Sequence, residues 1–90
     1  MVKDIYEMMD EIAKWIQEFR KETGIDIEGI DVRPGHYCYI DLLEGLPKVC
    51  ERYGMEVKED DWYYDTVDVN HNGIIFSEMI NDYKDEIGEN

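Results

Sequence analysis

Hydrophobic residues recur at alternating steps of four and three through the first part of the chain. They are Ile5, Met9, Ile12, Ile16 and Phe19. This spacing places them along one side of an α-helix. Acidic residues come early in the segment, and Arg20 and Lys21 come late, an order that suits the helix dipole. The pattern predicts a helix over about Val2 to Thr23 that ends at Gly24.

The middle of the chain has shorter hydrophobic runs, which favour short helices joined by loops. We expect a helical stretch around Asp26 to Ile30, a loop through Pro34 and Gly35, and a helix that resumes near Ile40. Pro47 lacks an amide hydrogen and pushes the residue before it out of helical angles. The sequence therefore predicts a kink or a restart at Pro47.

The last third of the chain favours a helix, a loop and a second helix. Its first residues are acids of the kind that begin helices. We expect the first helix to run to about Val67. After the loop, the second helix is expected from Ser77 to Ile87, with Gly88 ending it.

An internal repeat with an offset of 37 residues links these two parts of the chain. The segment Ile30 to Val32 resembles Val67 to Val69 in character. Further along, Tyr37 corresponds to Ile74, Tyr39 to Phe76 and Asp41 to Glu78. The repeat predicts two related units, each a helix, a loop and a helix.

The stretch DVNHNGIIFSEM, Asp68 to Met79, has the composition of a calcium-binding loop. Oxygen-bearing side chains occupy every second place, a glycine follows, and an acid comes near the end. A standard twelve-residue loop places its bidentate carboxylate eleven residues after the first ligand. Here Glu78 comes only ten residues after Asp68, which indicates that one residue is missing between Gly73 and Ile74.

These features resemble an EF-hand, and the repeat makes the chain similar to a paired EF-hand lobe of the calmodulin superfamily. The resemblance implies an all-α fold in which residues 1–90 form one lobe. Its parts would be an additional long N-terminal helix at 1–24, a degenerate first hand at 26–46 and a second hand at 58–87. It also implies a short antiparallel bridge between the two loops, with Tyr37 beside Ile74.

The resemblance implies one candidate calcium site, in the second hand. Its ligands would be Asp68, Asn70, Asn72, Ile74 and Glu78. Only two of these are carboxylates and the loop is short, so we expect weak binding, with a dissociation constant of roughly 10⁻⁵ M or poorer, or an empty structural loop. In the first hand, Arg33 would stand at a ligand place, so that hand is expected to hold no metal.

Net charge is the property of the whole chain that argues against the largest number of functional classes. The formal net charge is −14 at 43% hydrophobic residues, which argues for a folded domain and against binding to nucleic acid or to an anionic membrane. Cys38 and Cys50 have no framework spacing around them, and no leader or membrane span is evident, so we expect reduced thiols and a cytoplasmic location. No catalytic motif occurs, and an enzyme is not expected.

Three functional hypotheses remain open at this point. As the resemblance implies, the lobe would bind a basic amphipathic helix of a protein partner in a groove. Alternatively, the chain is a small EF-hand homodimer or calcium sensor, or a part of a larger four-hand protein. A third hypothesis is an acidic inhibitor or decoy that occupies the basic site of a partner.

Overall fold

The computed structural model describes residues 2–33 and 38–89. In chain order the elements are α1 (Ile5–Thr23), β1 (Ile27–Val32), β2 (Cys38–Leu42), α2 (Leu46–Tyr53), a 3₁₀ turn (Glu59–Asp61), β3 (Thr66–His71), β4 (Ile74–Met79) and α3 (Ile80–Glu86). The protein therefore has an α/β fold, and the prediction of an all-α pair of EF-hands is wrong.

The four strands form one mixed sheet in the order β1-β2-β4-β3. The outer pairs, β1 with β2 and β3 with β4, are antiparallel hairpins, and the central pair β2 and β4 is parallel. The three helices share one buried core with a single face of this sheet. That core comprises Phe19, Ile25, Ile40, Leu42, Leu46, Val49, Cys50, Val67, Val69, Phe76 and Tyr83. The result is a two-layer arrangement with helices on one side.

Helix α1 forms as the hydrophobic spacing predicts. Asp4 caps its start, because its side chain accepts a hydrogen bond from the Tyr6 amide at 2.8 Å. Gly24 ends it with φ 74°, and the Gly24 amide donates to the Arg20 carbonyl at 2.7 Å. The predicted helix and its end at Gly24 are confirmed, although Val2 lies outside the helix.

The other predicted helices are only partly helical: Ile80–Glu86 form α3 inside the predicted helix from Ser77 to Ile87, which is confirmed to that extent, and the rest is largely strand or turn. The segment Asp26 to Ile30 lies largely in β1, the segment after Ile40 continues β2, and the residues before Val67 and after Ser77 lie partly in β3 and β4. The physical reason is visible in TVDVNH, where the apolar residues alternate with polar ones. A period of two places them on opposite faces of a strand.

Helix α2 begins at Leu46, and Pro47 occupies its first turn. A proline in the first turn removes no hydrogen bond of the helix, because the first amides of a helix have no partner within the helix. The restart expected at Pro47 is confirmed, whereas the chain before it is a strand and a turn rather than a helix.

The internal repeat corresponds to two β-hairpins, each followed by a helix. Strands β2 and β4 pair in parallel with Cys38 opposite Ile74 and Ile40 opposite Phe76, an offset of 36 residues rather than 37. The prediction of two helix–loop–helix units is wrong, and so is the antiparallel bridge between them. Tyr37, which was expected beside Ile74, lies outside the described residues.

The segment predicted as a calcium loop, Asp68 to Met79, consists of the end of β3, a tight turn and β4. His71 pairs with Ile74, so Asn72 and Gly73 are the two central residues of the turn, with φ 54° and 89°. Positive φ at both places is the type I′ geometry, for which Asn-Gly is the preferred pair. The Asn70 side chain accepts a hydrogen bond from the Gly73 amide at 2.9 Å, which fixes the turn further.

Gly73→Ala is expected to lower the free energy of unfolding by about 1–2 kcal/mol, because a Cβ disfavours the left-handed region. Apart from its chain neighbours, no atom of the described residues lies within 4 Å of the Cβ position, so the expected loss comes from the backbone conformation. Urea unfolding measures it. Gly73→Asn, which tolerates this region better, should recover part of the loss. Equal losses for both variants would contradict the backbone explanation.

Candidate acidic site on the open sheet face

The face of the sheet turned away from the helices carries the acids Asp31, Asp41 and Asp68 beside the apolar residues Tyr39 and Ile75. Ile40, Val67 and Phe76 point into the core, so the residues next to them in sequence point the other way. One row crosses all four strands on this open face and consists of Gly29, Asp41, Ser77 and Asp68. In the part of the chain that the structure describes, every helix contributes to the core on the opposite side.

A concave pocket of about 340 Å³ lies on this row, where the pairing of β2 with β4 ends at Asp41 and Ser77. Gly29 helps to form it, because a side chain there would stand 3.6 Å from an Asp41 carboxylate oxygen. Its lining consists of Glu28, Gly29, Asp41, Leu42, Thr66, Ser77, Glu78 and Met79. The pocket thus offers carboxylate and hydroxyl oxygens on a rigid strand framework, and this set of groups suits a cationic side chain.

The carboxylates of this face repel one another. Partial burial raises the pKa of Asp41, and the negative charges of Glu28, Asp31 and Asp68 raise it further. Arg33 Nε lies 3.1 Å from Asp31 Oδ2. Within residues 2–33 and 38–89, no lysine or arginine forms an ion pair with Asp41 or Asp68. A bound cation would therefore relieve repulsion that the chain itself leaves in place.

Ser77 fixes the orientation of one of these acids. Its hydroxyl donates a hydrogen bond to Asp68 Oδ1 at 2.5 Å, and the serine itself is only 8% exposed. The bond uses the donor capacity of the hydroxyl and leaves the second oxygen of Asp68 as an acceptor. The row therefore presents acceptors only, which selects ligands rich in N–H groups.

The five predicted calcium ligands do not converge. Asp68 and Asn70 lie on the open face, Asn72 lies in the turn, and Ile74 and Glu78 belong to the face that carries the helices. Glu78 pairs with Val67 and therefore points away from Asp68. Among the described residues, no group of three or more side chains is placed to hold a metal ion. The predicted loop geometry is wrong, and calcium binding itself stays a prediction.

Glu78 has a structural role at the start of α2. It is 1% exposed, and its Oε1 accepts a hydrogen bond from the Leu46 amide at 3.1 Å. Burial is the main cause that raises its pKa to about 8; the Leu46 bond opposes the shift, and Glu86 and Asp82 add to it. Glu86 in turn accepts from the Gly45 amide at 3.1 Å. The two carboxyl groups therefore join β4 and α3 to the first residues of α2.

The two cysteines are free thiols in the structure, as expected. Cys38 is half-buried on β2, and Cys50 is buried in α2. Burial, together with the nearby charges of Asp61 and Glu78, raises the pKa of the Cys50 thiol to about 11. A thiol with so high a pKa is a poor nucleophile near neutral pH.

The acidic row was missed in the sequence because it needs the strand pairing. Asp41 and Asp68 are 27 positions apart, and only the parallel pairing of β2 with β4 brings their strands together. A local signal did exist: in IDV at the end of β1 and in IDL at the end of β2 an acid stands between two apolar residues, which is typical of a sheet with one exposed face.

Comparison of the chain with protein-family models, with curated proteins and with solved structures finds no match. The EF-hand resemblance therefore has no support from relatives. Among the described residues, no helix has both the length and the apolar character that crossing a membrane requires.

Proposed function

We propose that this protein is an acidic interaction domain that binds a basic partner protein through its open sheet face and so occupies the partner's positively charged site. The acidic row on a sheet face without a covering helix supports this proposal most directly. The net charge of −14 adds long-range attraction to any basic surface.

The spacing of the acids favours a macromolecular partner over a single small cation. Asp41 on β2 and Asp68 on β3 are separated by the intervening strand β4, so their strands lie about 10 Å apart. One ion cannot be shared over that distance, whereas neighbouring arginine or lysine side chains of a protein can each approach one acid. Arginine fits best, because its planar N–H groups match a carboxylate in pairs.

The sheet also keeps the acids in place before binding. Their backbones belong to paired strands, and Ser77 holds Asp68 by a hydrogen bond. Little conformational entropy is therefore lost at the acidic row when a partner docks. Complementary charge of this kind mainly speeds association and selects the partner.

Asp41→Asn combined with Asp68→Asn is expected to weaken binding of a ten-residue oligoarginine by about tenfold at low salt, since both acids of the row lose their charge. The control is Asp60→Asn combined with Asp85→Asn, which removes two charges from exposed positions in the 3₁₀ turn and α3. Calorimetric titration gives the dissociation constants, and we expect the control to change by less than about twofold.

NMR of the ¹³C-labelled methionine methyl groups shows where oligoarginine binds. Met79 lines the acidic pocket, whereas Met8 and Met55 lie elsewhere, so the Met79 methyl signal should shift first on addition of oligoarginine. Equal weakening in the two double variants, or an unchanged Met79 signal at saturation, would mean that the attraction is a property of total charge and not of this face.

A further inference from the structure

A second surface lies on the opposite side of the sheet, under helix α1. It is an apolar groove of about 430 Å³ between α1 and the core-facing side of the strands. From α1 the groove is lined by Met8, Ile12 and Trp15, and from the strands by Val32, Ile74 and Phe76. The volume and the apolar lining are those of a binding groove for apolar side chains.

The first half of α1 leaves its hydrophobic side uncovered. Phe19 near the end of the helix is 3% exposed, whereas Ile5 is 69% and Met9 58% exposed. On the strand side of the groove, Val32 is 66% exposed. A helix in water depends on burial of its apolar side for most of its stability, and here that burial is provided only for the second half. The groove and the uncovered helix side together form one apolar surface.

We propose that this groove docks a basic amphipathic helix of a partner protein. The apolar side of that helix would fill the groove in the helix-in-groove mode, with anchors spaced at i, i+3, i+4 and i+7. Its basic side would meet the acids of α1, of which Glu11 lines the groove itself.

The charges of the first part of α1 indicate which kind of helix would bind in the groove. Residues 3–14 comprise the first part of α1 and the two residues before it. They carry four acids, Asp4, Glu7, Asp10 and Glu11, and two lysines. Both lysines are already paired within this segment, Lys3 with Glu11 at 2.6 Å and Lys14 with Asp10 at 3.1 Å. With four acids and two lysines, this segment beside the groove carries a net charge of −2, which attracts a basic helix and repels an acidic one.

The same charges disfavour a second copy of this chain as the occupant. Antiparallel pairing of the first halves of two α1 helices would place the acids of one copy beside those of the other. Each copy also brings a charge of −14, so association would work against repulsion over the whole surface. The surface lies on the opposite side of the sheet from the acidic row, and this inference does not depend on the proposed function of that row.

The test uses a fourteen-residue peptide of leucine and lysine with the leucines on one helical side, and a scrambled peptide of the same composition. Met8 lines the groove and Met79 the acidic pocket, so methyl NMR of the full chain reports which surface the peptide contacts. We expect the Met8 signal to shift, and the patterned peptide to bind at least about tenfold tighter than the scrambled one.

Two variants of α1, Met8→Glu and Gln17→Glu, separate the groove from general charge. Both positions are outside the buried core and both variants add one negative charge, but only Met8 lines the groove. We expect Met8→Glu to weaken binding of the patterned peptide about tenfold although it adds a negative charge, and Gln17→Glu to change it by less than about twofold. Val32→Glu repeats the test from the strand side should Met8→Glu fail to fold by circular dichroism.

Three results would overturn the inference. The first is a patterned peptide that shifts only Met79, which places it on the acidic face. The second is equal affinity for the patterned and scrambled peptides. The third is a concentration-dependent dimer of the unmodified chain, seen by sedimentation and dissolved by Met8→Glu, which makes a second copy the occupant. Equal weakening of oligoarginine binding in the two double variants, which would contradict the proposed function of the acidic row, would leave this inference untouched.

Discussion

Replacing Glu78 by glutamine is expected to raise the free energy of unfolding at pH 8 to 9 by on the order of 3 kcal/mol and to change it little near pH 5. Glutamine has the shape of the protonated acid. Its oxygen can keep the hydrogen bond from the Leu46 amide, and its amide can donate to the carboxylate of Glu86. The variant thus retains the contacts of the acid and removes the buried charge.

The direction follows from the pKa of Glu78 in the two states. It is about 8 in the folded protein, against an ordinary value of 4.5 that applies to the unfolded chain. Between these values the folded state holds a proton that the unfolded state has lost, so unfolding releases it and stability falls as the pH rises. The contribution is fully present below about pH 4.5 and is lost once the pH passes through about 8.

Urea unfolding of both proteins at several values between pH 5 and pH 9 measures the effect. The wild type should lose stability steadily over this range, and Glu78→Gln should show a much flatter profile. Glu51→Gln, on the exposed side of α2, controls for the removal of one charge from an acidic protein. Parallel profiles for the wild type and Glu78→Gln would show that Glu78 is ionised in the fold throughout this range.

The sequence is most informative where structure depends on near neighbours in the chain. The hydrophobic spacing of α1 and its end at Gly24 need only helix geometry and a glycine, and both are confirmed. The restart at Pro47 is equally local. The repeat at an offset of 37 does not carry over to the structure: β2 and β4 pair at an offset of 36, and the two units are hairpins that each precede a helix.

The error came from a pattern that has two physical meanings. Oxygen-bearing residues at every second place suit a calcium loop, and they suit equally the exposed face of a strand. Val67 and Val69 alternate with the polar residues Asp68 and Asn70, which favours a strand. The Asn-Gly pair that follows favours a tight hairpin turn. The distinction rests on Val67 and Val69, because their alternation with polar residues is the period of a strand and is not required by a calcium loop.

The candidate sites depend on contacts that are distant in sequence. The acidic row requires β2 beside β4, and the burial of Glu78 requires α2 and α3 to cover its strand. The resemblance to an EF-hand loop makes Glu78 the closing carboxylate of a calcium site, and nothing local in the sequence indicates that this acid is buried. In the fold, the amide of Leu46 at the start of α2, 32 residues earlier, donates to Glu78 Oε1, whereas Oε2 has no hydrogen-bond partner among the described residues.

Gly45→Ala is expected to lower the free energy of unfolding by about 3 kcal/mol, from two sources. Gly45 has φ 95°, a conformation that costs alanine about 1–2 kcal/mol. In addition, the new Cβ would stand 2.7 Å from Ile25 Cγ1 and 3.0 Å from Cδ1. Ile25 is 3% exposed, so it has little room to move away.

Gly54→Ala separates the two sources. Gly54 also has positive φ, 66°, but nothing lies within 4 Å of its Cβ position, so that variant should lose only the backbone part, about 1–2 kcal/mol. Ile25→Ala removes the contact atoms, and we expect the double variant with Gly45→Ala to be less destabilised than the sum of the single variants. Equal losses for Gly45→Ala and Gly54→Ala, with additive behaviour in the double variant, would mean that Ile25 does not pack against the start of α2. In that case the position of Leu46 over Glu78 would lose its support as well.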